Sequence, residues 1–326
     1  MNHSPLKALV VGRGSAAHAA PFLERDDVDV IGVVGAGSER TAALARAYSL
    51  PVFMTLDAAL EVAAPDIAVV ALNASSNVLL HERLLDIGCD ILCAHPVATT
   101  PAAVRSLDAF ARARGRIVST DYLLHACDEL RATQGELPQA GALMRLVVTY
   151  PGRLIDMAID LACRLGGRIA SVMALGGYPI ALAERRMRTP ALYPPMLLFE
   201  HVAGCITSLV PCPHGGGRDA ISVTASYAEL RLELRLPSGG AYRVRLLGGG
   251  GTERTELVRP SDAHAKSAWA AVIRRQADDF VNAVLLRVAP PCPLSRDATV
   301  RTISQAVAES SRQGERVSMR AWAGWE

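Results

Sequence analysis

The stretch KALVVGRGSAAH, Lys7 to His18, decides the fold. A β-rich apolar run ends at Gly12, a second glycine stands at Gly14, and small residues then open a helix. Gly12, Gly14 and Ala17 fit G-x-G-x-x-A, an accepted form of the dinucleotide-binding fingerprint. The glycines permit a tight turn and a close backbone approach to a pyrophosphate. The helix start, from Ser15, adds partial positive charge. Read alone the pattern is weak, because any strand–turn–helix can use two glycines. Its weight comes from the chain beyond it.

That chain alternates regularly. VDVIGVVG (28–35), PDIAVVAL (65–72), CDILCA (89–94) and GRIVST (115–120) read as strands, with helical patterns near 15–26, 38–49, 77–87 and 101–113. Near-continuous apolar strands separated by helices imply a parallel sheet covered on both faces. The expected fold class is therefore α/β, opening with a doubly wound Rossmann domain over residues 1–122. Past residue 135 the texture changes. GALMRLVVTY (141–150) reads as a strand and GRLIDMAIDLACRLGG (152–167) as a helix stopped by glycines. RIASVMALGG, AISVTASY, AELRLELRLP and AYRVRLLGG alternate like strands of an open antiparallel sheet. Residues 123–326 thus read as a second α/β domain with an open, largely antiparallel sheet. Its amphipathic C-terminal helices are expected to pack back on the Rossmann domain.

Composition narrows the partners. Among 326 residues, 34 are basic and 32 acidic, so no electrostatic footprint for nucleic acid exists. No apolar run approaches the roughly 20 residues of a membrane helix, and the N-terminus lacks a signal-peptide layout. The seven scattered cysteines form no CxxC pair, which favours reduced thiols and a cytoplasmic location.

The end of the second strand selects the cofactor. NAD enzymes usually carry an acid there for the ribose 2′-hydroxyl. This chain has Gly35, with Ser38 and Arg40 at the next helix start. Ser38 could simply cap that helix, and Arg40 could lie on its solvated face. Gly35 tips the reading to NADP(H), with Asn73 and Pro96 as further expected cofactor contacts at strand ends.

The layout resembles the glucose–fructose oxidoreductase / inositol dehydrogenase / MocA superfamily over nearly the whole chain. The resemblance implies a Glu-Lys-Pro signature after the fifth strand and an Asp-x-x-x-His pair on the first helix of the second domain. Here the first reads Ala94-His95-Pro96; in the second, Asp156 is retained and Asp160 replaces the histidine. A smaller branch, the thiazolinyl imine reductases of siderophore assembly lines, carries Glu-His-Pro. GAGSERT (35–41) is similar to that branch's Gly-Ser-x-Arg segment, and STDYLL (119–124) to its Thr-Phe-Tyr segment. This similarity puts Tyr122 where the branch has its proposed acid. Ala94 for glutamate, Asp121 for phenylalanine and a shorter C-terminal domain depart from it. The resemblance also implies a homodimer, and a substrate tethered to a nonribosomal peptide synthetase.

Ligands of such sheets bind at strand C-terminal ends, so His95 and Tyr122 should face the nicotinamide. Reducing a C=N bond requires a proton on nitrogen, which either residue can donate. Expected catalytic residues are therefore Tyr122, His95 and Asp156. Each has a plainer reading: a satisfied strand-end histidine, a core-covering aromatic, and with Asp160 a polar helix stripe. His125 and His201 carry no motif. Cys212 and His214 in PCPHGGG have no second pair, so a loop and no metal is expected. The basic run ERRMR (184–188) reads as a solvated face or a carrier-protein contact. Two further functions remain open: an NADP-dependent oxidoreductase of a sugar, polyol or other carbonyl compound, and a non-catalytic NADP-binding protein.

Overall fold

The computed structural model describes residues 4–12, 15–35, 39–72, 78–133, 137, 140–176, 196–212, 220–237, 240–246, 251–258 and 265–322. The chain divides into two compact units. The first comprises residues 1–123 and 270–301, the second residues 124–269 and 302–326.

The first unit holds a six-stranded sheet. Its strands are β1 (Leu6–Val11), β2 (Val28–Val34), β3 (Val52–Phe53), β4 (Ile67–Val70), β5 (Asp90–Cys93) and β6 (Val118–Thr120). They run parallel in the order β3-β2-β1-β4-β5-β6, which is the dinucleotide-binding order. β4 and β5 are buried throughout because both sheet faces are covered. The pleat sends Leu9 and Val11 to one face, where Leu84 of α4 (Val78–Asp86) and Leu107 of α5 (Pro101–Ala113) pack. Ala8 and Val10 point to the other face, against Phe22 of α1 (Ser15–Leu23). The start of α5 comes from its sequence, since Thr100 caps it by accepting from the Ala103 amide at 3.2 Å and Pro101 pre-sets the first turn.

Residues 270–301 complete this unit. Phe280 and Val284 of α8 (Ala265–Leu286) join the Phe22 side, and Leu294 and Ala298 of α9 (Leu294–Gln313) join the Leu107 side. At the sheet edge, Thr120 donates its amide to the Cys292 carbonyl at 2.7 Å.

The second unit is built on a nine-stranded sheet. Its core strands are β7 (Leu143–Pro151), β8 (Ile169–Leu175), β9 (Met196–His201), β10 (Ile206–Cys212), β11 (Ile221–Tyr227) and β12 (Leu230–Leu236). β13 (Ala241–Leu246) and β14 (Thr252–Val258) extend one side, and β15 (Val317–Ser318) edges the other. Pairing is antiparallel except between β7 and β10, which run parallel, so the sheet is mixed. Strand alternation is visible in β11, where Ile221, Val223, Ala225 and Tyr227 are buried and the residues between them are not.

Helix α7 (Ile155–Gly166) ends against β9. His201 lies there, 1% exposed, donating from Nδ1 to the Gly167 carbonyl at 3.0 Å and accepting the Thr207 hydroxyl at Nε2 at 2.7 Å. A Cβ at Gly166 would fall 2.4 Å from the His201 ring, so the glycine makes room for the imidazole. Burial pushes His201 below its ordinary value of 6.5, and the Gly167 bond opposes this only in part. The unfolded chain therefore takes up the proton first. Stability from this site is complete above about pH 6.5 and is lost as pH falls towards the lowered folded value. Melting temperature should decline between pH 7.5 and 5.5, and His201→Gln should flatten that slope. A variant with a wild-type slope would place the acid sensitivity elsewhere.

Candidate active site

The strand ends of the first unit converge on two features. The first is a glycine seat. Gly12 adopts φ +108° and donates its amide to the Val34 carbonyl at 3.0 Å. A Cβ there would sit 2.3 Å from the Ala71 carbonyl oxygen, beyond the end of β4. Gly35, at φ +99°, follows the end of β2 and lies against Gly12, whose Cα is 3.8 Å from where its Cβ would be. The ends of β1, β2 and β4 thus approach closely at two glycines. Positive-φ glycines in a tight strand-end turn are what the dinucleotide fingerprint requires, and the seat fits the cofactor. Gly14, Ser38 and Asn73 lie outside the described residues, as do the side chains of Ser15, Ala17 and Arg40.

The second feature is a cluster at the mouths of β5 and β6. These strands pair in parallel with Cys93 opposite Thr120, so the residues just beyond them meet. Asp121 donates its amide to the Cys93 carbonyl at 3.0 Å, and its Oδ1 accepts the His95 amide at 2.6 Å. The same oxygen also pairs with His95 Nδ1. Because a carboxylate only accepts, Nδ1 must carry the hydrogen, which makes Nε2 the nitrogen that exchanges a proton. His18 of α1 approaches from the other side, its Nε2 3.7 Å from Asp121 Oδ2. Burial works against ionising Asp121, but the adjoining His95, helped by His18, still holds its carboxyl below the usual carboxylate range. The His95–Pro96 peptide is cis.

Tyr122 stacks on His95, with ring centroids 4.4 Å apart and planes 20° from parallel. It is 1% exposed, and its hydroxyl donates to Asp297 Oδ1 at 2.7 Å. Asp297, in the first turn of α9, uses its other oxygen to accept the Val97 amide at 3.1 Å. Burial raises the Asp297 carboxyl, against the Tyr122 and Val97 bonds and the nearby Arg301.

The structure therefore brings His95, Pro96 and Tyr122 together, and separately Gly12 with Gly35. Asp156 belongs to the second unit, where Ser304 Oγ donates to it at 3.4 Å. Asp160 is buried on the same helix, 3.4 Å from His125 Nε2, while Arg164 donates to His125 Nδ1. His201 is a core residue, Cys212 ends β10, and His214 and residues 184–188 lie outside the described residues. Among the described residues no group of histidine, cysteine and carboxylate side chains could hold a metal, and no helix is long and apolar enough to cross a membrane. Asp121, Asp297 and His18 carry no sequence motif that marks them for the site. Asp121 could be found from strand pairing, one residue beyond β6 beside His95. Asp297 lies 175 residues from Tyr122 and leaves no local signal.

Residues 6–122 match the model of the GFO_IDH_MocA oxidoreductase family, described by its NAD-binding Rossmann fold. This stretch resembles that family's Rossmann domain. It covers the strands, the glycine seat and the His95–Tyr122 cluster up to β6. The chain is also 30% identical over 129 residues to the D-glucoside 3-dehydrogenase of Escherichia coli (strain K12), covering 37% of this chain and 36% of that protein. The match thus spans about a third of that curated relative. Similarity of fold runs further than residues 6–122. An oxidoreductase from Agrobacterium radiobacter, solved with NAD+, L-tartaric acid and magnesium, superposes with a TM-score of 0.81 at 11% identity, covering 98% of this chain and 99% of its own. Scyllo-inositol dehydrogenase from Lactobacillus casei superposes at 0.78 with 13% identity, covering 98% and 100%. Both units therefore have the two-part architecture of those oxidoreductases.

Proposed function

We propose that the protein is an NADPH-dependent reductase of a cyclic imine, turning a thiazoline into a thiazolidine on a nonribosomal-peptide intermediate. The carrying observation is the His95–Asp121 pair at the strand mouth. An imidazole whose Nδ1–H is held by an ionised carboxylate is stabilised in its protonated form, and so is equipped as an acid. An imine nitrogen calls for an acid; oxidation of an alcohol calls for a base. The nicotinamide, when bound, supplies the hydride. His95 delivers the proton from Nε2 to the imine nitrogen, converting C=N to CH–NH, and is then reprotonated from solvent. Asp121 holds the ring's orientation and tautomer throughout. Tyr122 contributes its ring face, since its hydroxyl proton is committed to Asp297.

Gly12 and Gly35 provide the pyrophosphate seat. Because Gly35 follows the end of β2, the strand end presents no acid to a ribose 2′-hydroxyl, which supports a 2′-phosphate bound by Ser38 and Arg40. The substrate is proposed to arrive as a carrier-bound thioester. A second reading, oxidation of a sugar or polyol, is favoured by the 30% identity to D-glucoside 3-dehydrogenase over 129 residues.

One assay separates these readings. Single-turnover cofactor fluorescence is recorded with a 2-substituted thiazoline thioester and, in reverse, with polyols. Thiazoline reduction with NADPH and negligible polyol oxidation are expected. NADPH should bind more tightly than NADH, and Arg40→Ala should remove a contact worth about 1.5–3 kcal/mol, or roughly 10–150-fold in Kd. Robust polyol oxidation moves the function to the second reading, equal affinity for both cofactors removes the NADP(H) assignment, and no turnover of either substrate leaves a non-catalytic binder.

A further inference from the structure

We infer that Asp297 is a positioning residue for His95, acting through Tyr122 and the Val97 amide. The inference deepens the proton-donor reading of His95 and rests on it for its catalytic part. Three contacts carry the geometry. Tyr122 donates to Asp297 Oδ1 at 2.7 Å, and the Val97 amide donates to Oδ2 at 3.1 Å. Val97 lies two residues beyond His95, across Pro96, so this second bond holds the turn on which the imidazole stands. The first bond holds the ring that covers one face of that imidazole at 4.4 Å. One carboxylate on α9 therefore grips both walls of the His95 slot, and both of its oxygens are used. Asp297 itself is fully buried, at 0% exposure, so water does not substitute readily for either bond. Asp121 sets the in-plane aim of the ring through Nδ1, whereas Asp297 sets its tilt and depth through the stack. The part played by Asp297 lies outside the family match, because residues 6–122 stop before α9.

An isosteric change isolates the carboxylate. Asp297→Asn keeps the shape but replaces one acceptor with a donor, so it cannot accept from both Tyr122 and Val97. Tyr122→Phe keeps the stacking ring and removes only its anchor. The first readout is independent of substrate: NMR of histidine-labelled full-length protein, in which the Tyr122 ring current shifts the His95 ring protons upfield. Both variants should lose much of that shift, and their melting curves report folding alongside. Should Asp297→Asn not fold, Tyr122→Phe carries the same test. The second readout is turnover. Loosening the acid should lower kcat roughly 10–100-fold with little change in KM, and the double variant should be no worse than Asp297→Asn alone, because the Tyr122 hydroxyl acts through Asp297. His95 shifts that stay at their wild-type positions in both folded variants would overturn the inference, as would additive losses in kcat. Lost shifts in a protein whose wild type does not reduce the thiazoline would support the positioning role and overturn only the substrate reading.

Discussion

Asp121→Asn should reduce turnover by roughly 10²–10⁴-fold, the range for a positioned proton transfer. The substitution is nearly isosteric, and an asparagine oxygen can still accept the His95 amide. What disappears is the negative charge between His95 and His18. The asparagine oxygen can also still accept Nδ1–H, so the geometry survives, but without the charge the imidazolium loses its stabilising partner. His95 then faces the substrate as a neutral ring, with its hydrogen on Nδ1 and none on Nε2 to give. Two signatures accompany the loss. Cofactor affinity should change little, since Asp121 is not in the glycine seat. Any residual activity should also fail at lower pH than in wild type, because an acid works only while protonated and the variant's imidazolium is less stable. The stability consequence has the opposite pH dependence. The Asp121 carboxyl is held below its ordinary value of 3.8, so its contribution is present above that value and disappears as pH falls through the lowered one. Wild type and Asp121→Asn should accordingly converge in melting temperature at strongly acid pH. Turnover within twofold of wild type, measured by stopped flow, would remove the dyad from the mechanism.

The second large effect is expected at Gly12. Alanine there faces two independent obstacles: φ of +108°, which a side chain rarely adopts, and a Cβ 2.3 Å from the Ala71 carbonyl oxygen and 2.9 Å from Leu72 Cδ2. Backbone strain of this kind costs about 1–3 kcal/mol and overpacking about 1–3 kcal/mol more. Gly12→Ala should lower the melting temperature by on the order of 10 °C. The backbone can relieve the clash only by separating β1 from the end of β4, which opens the seat, so NADPH affinity should fall by more than about tenfold, or 1.4 kcal/mol. Gly35→Ala is the control, because it shares the positive φ but meets nothing closer than 3.8 Å. It should cost only the strain. Equal effects of the two substitutions in calorimetry and titration would show that close approach is not what the Gly12 position requires.

How far the sequence can be read depends on how local the determining physics is. The helical pattern over 101–113 is α5 itself, Pro101–Ala113, because its cap and first-turn proline are neighbours in the chain. The Rossmann strands are legible because burial on both faces writes unbroken apolar runs. β3 has only two residues, Val52 and Phe53, too few to show any period, and α3 (Leu56–Val62) behind it escapes sequence reading as well. In the second unit, alternation announces β11, β12 and β13. It does not announce β9, β10 or β14, and the parallel pairing of β7 with β10 is a non-local choice that no hairpin signals. The site shows the same split. His95 and Tyr122 are marked by their places at strand ends, whereas the partner of each depends on tertiary structure. Asp121 needs the β5–β6 register, and Asp297 needs the return of the chain at α9. Tyr122 stacks on His95, and its bond to Asp297 gives the hydroxyl an occupation the sequence does not suggest.

The return of residues 270–301 to the first unit also bears on how the protein is made. As the chain emerges during synthesis, β1 to β6 are available early, yet the edge partner of Thr120 and the acceptor of the Tyr122 hydroxyl appear some 170 residues later. The nascent Rossmann half must wait with Phe22 and Leu107 incompletely covered until Phe280 and Leu294 are translated. A gene fusion or exchange cut at residue 122 would therefore carry the glycine seat and leave behind the clamp on its acid. Replacing residues 124–269 alone would also strand residues 302–326, whose β15 pairs with β8, so the two segments of the second unit have to be exchanged together.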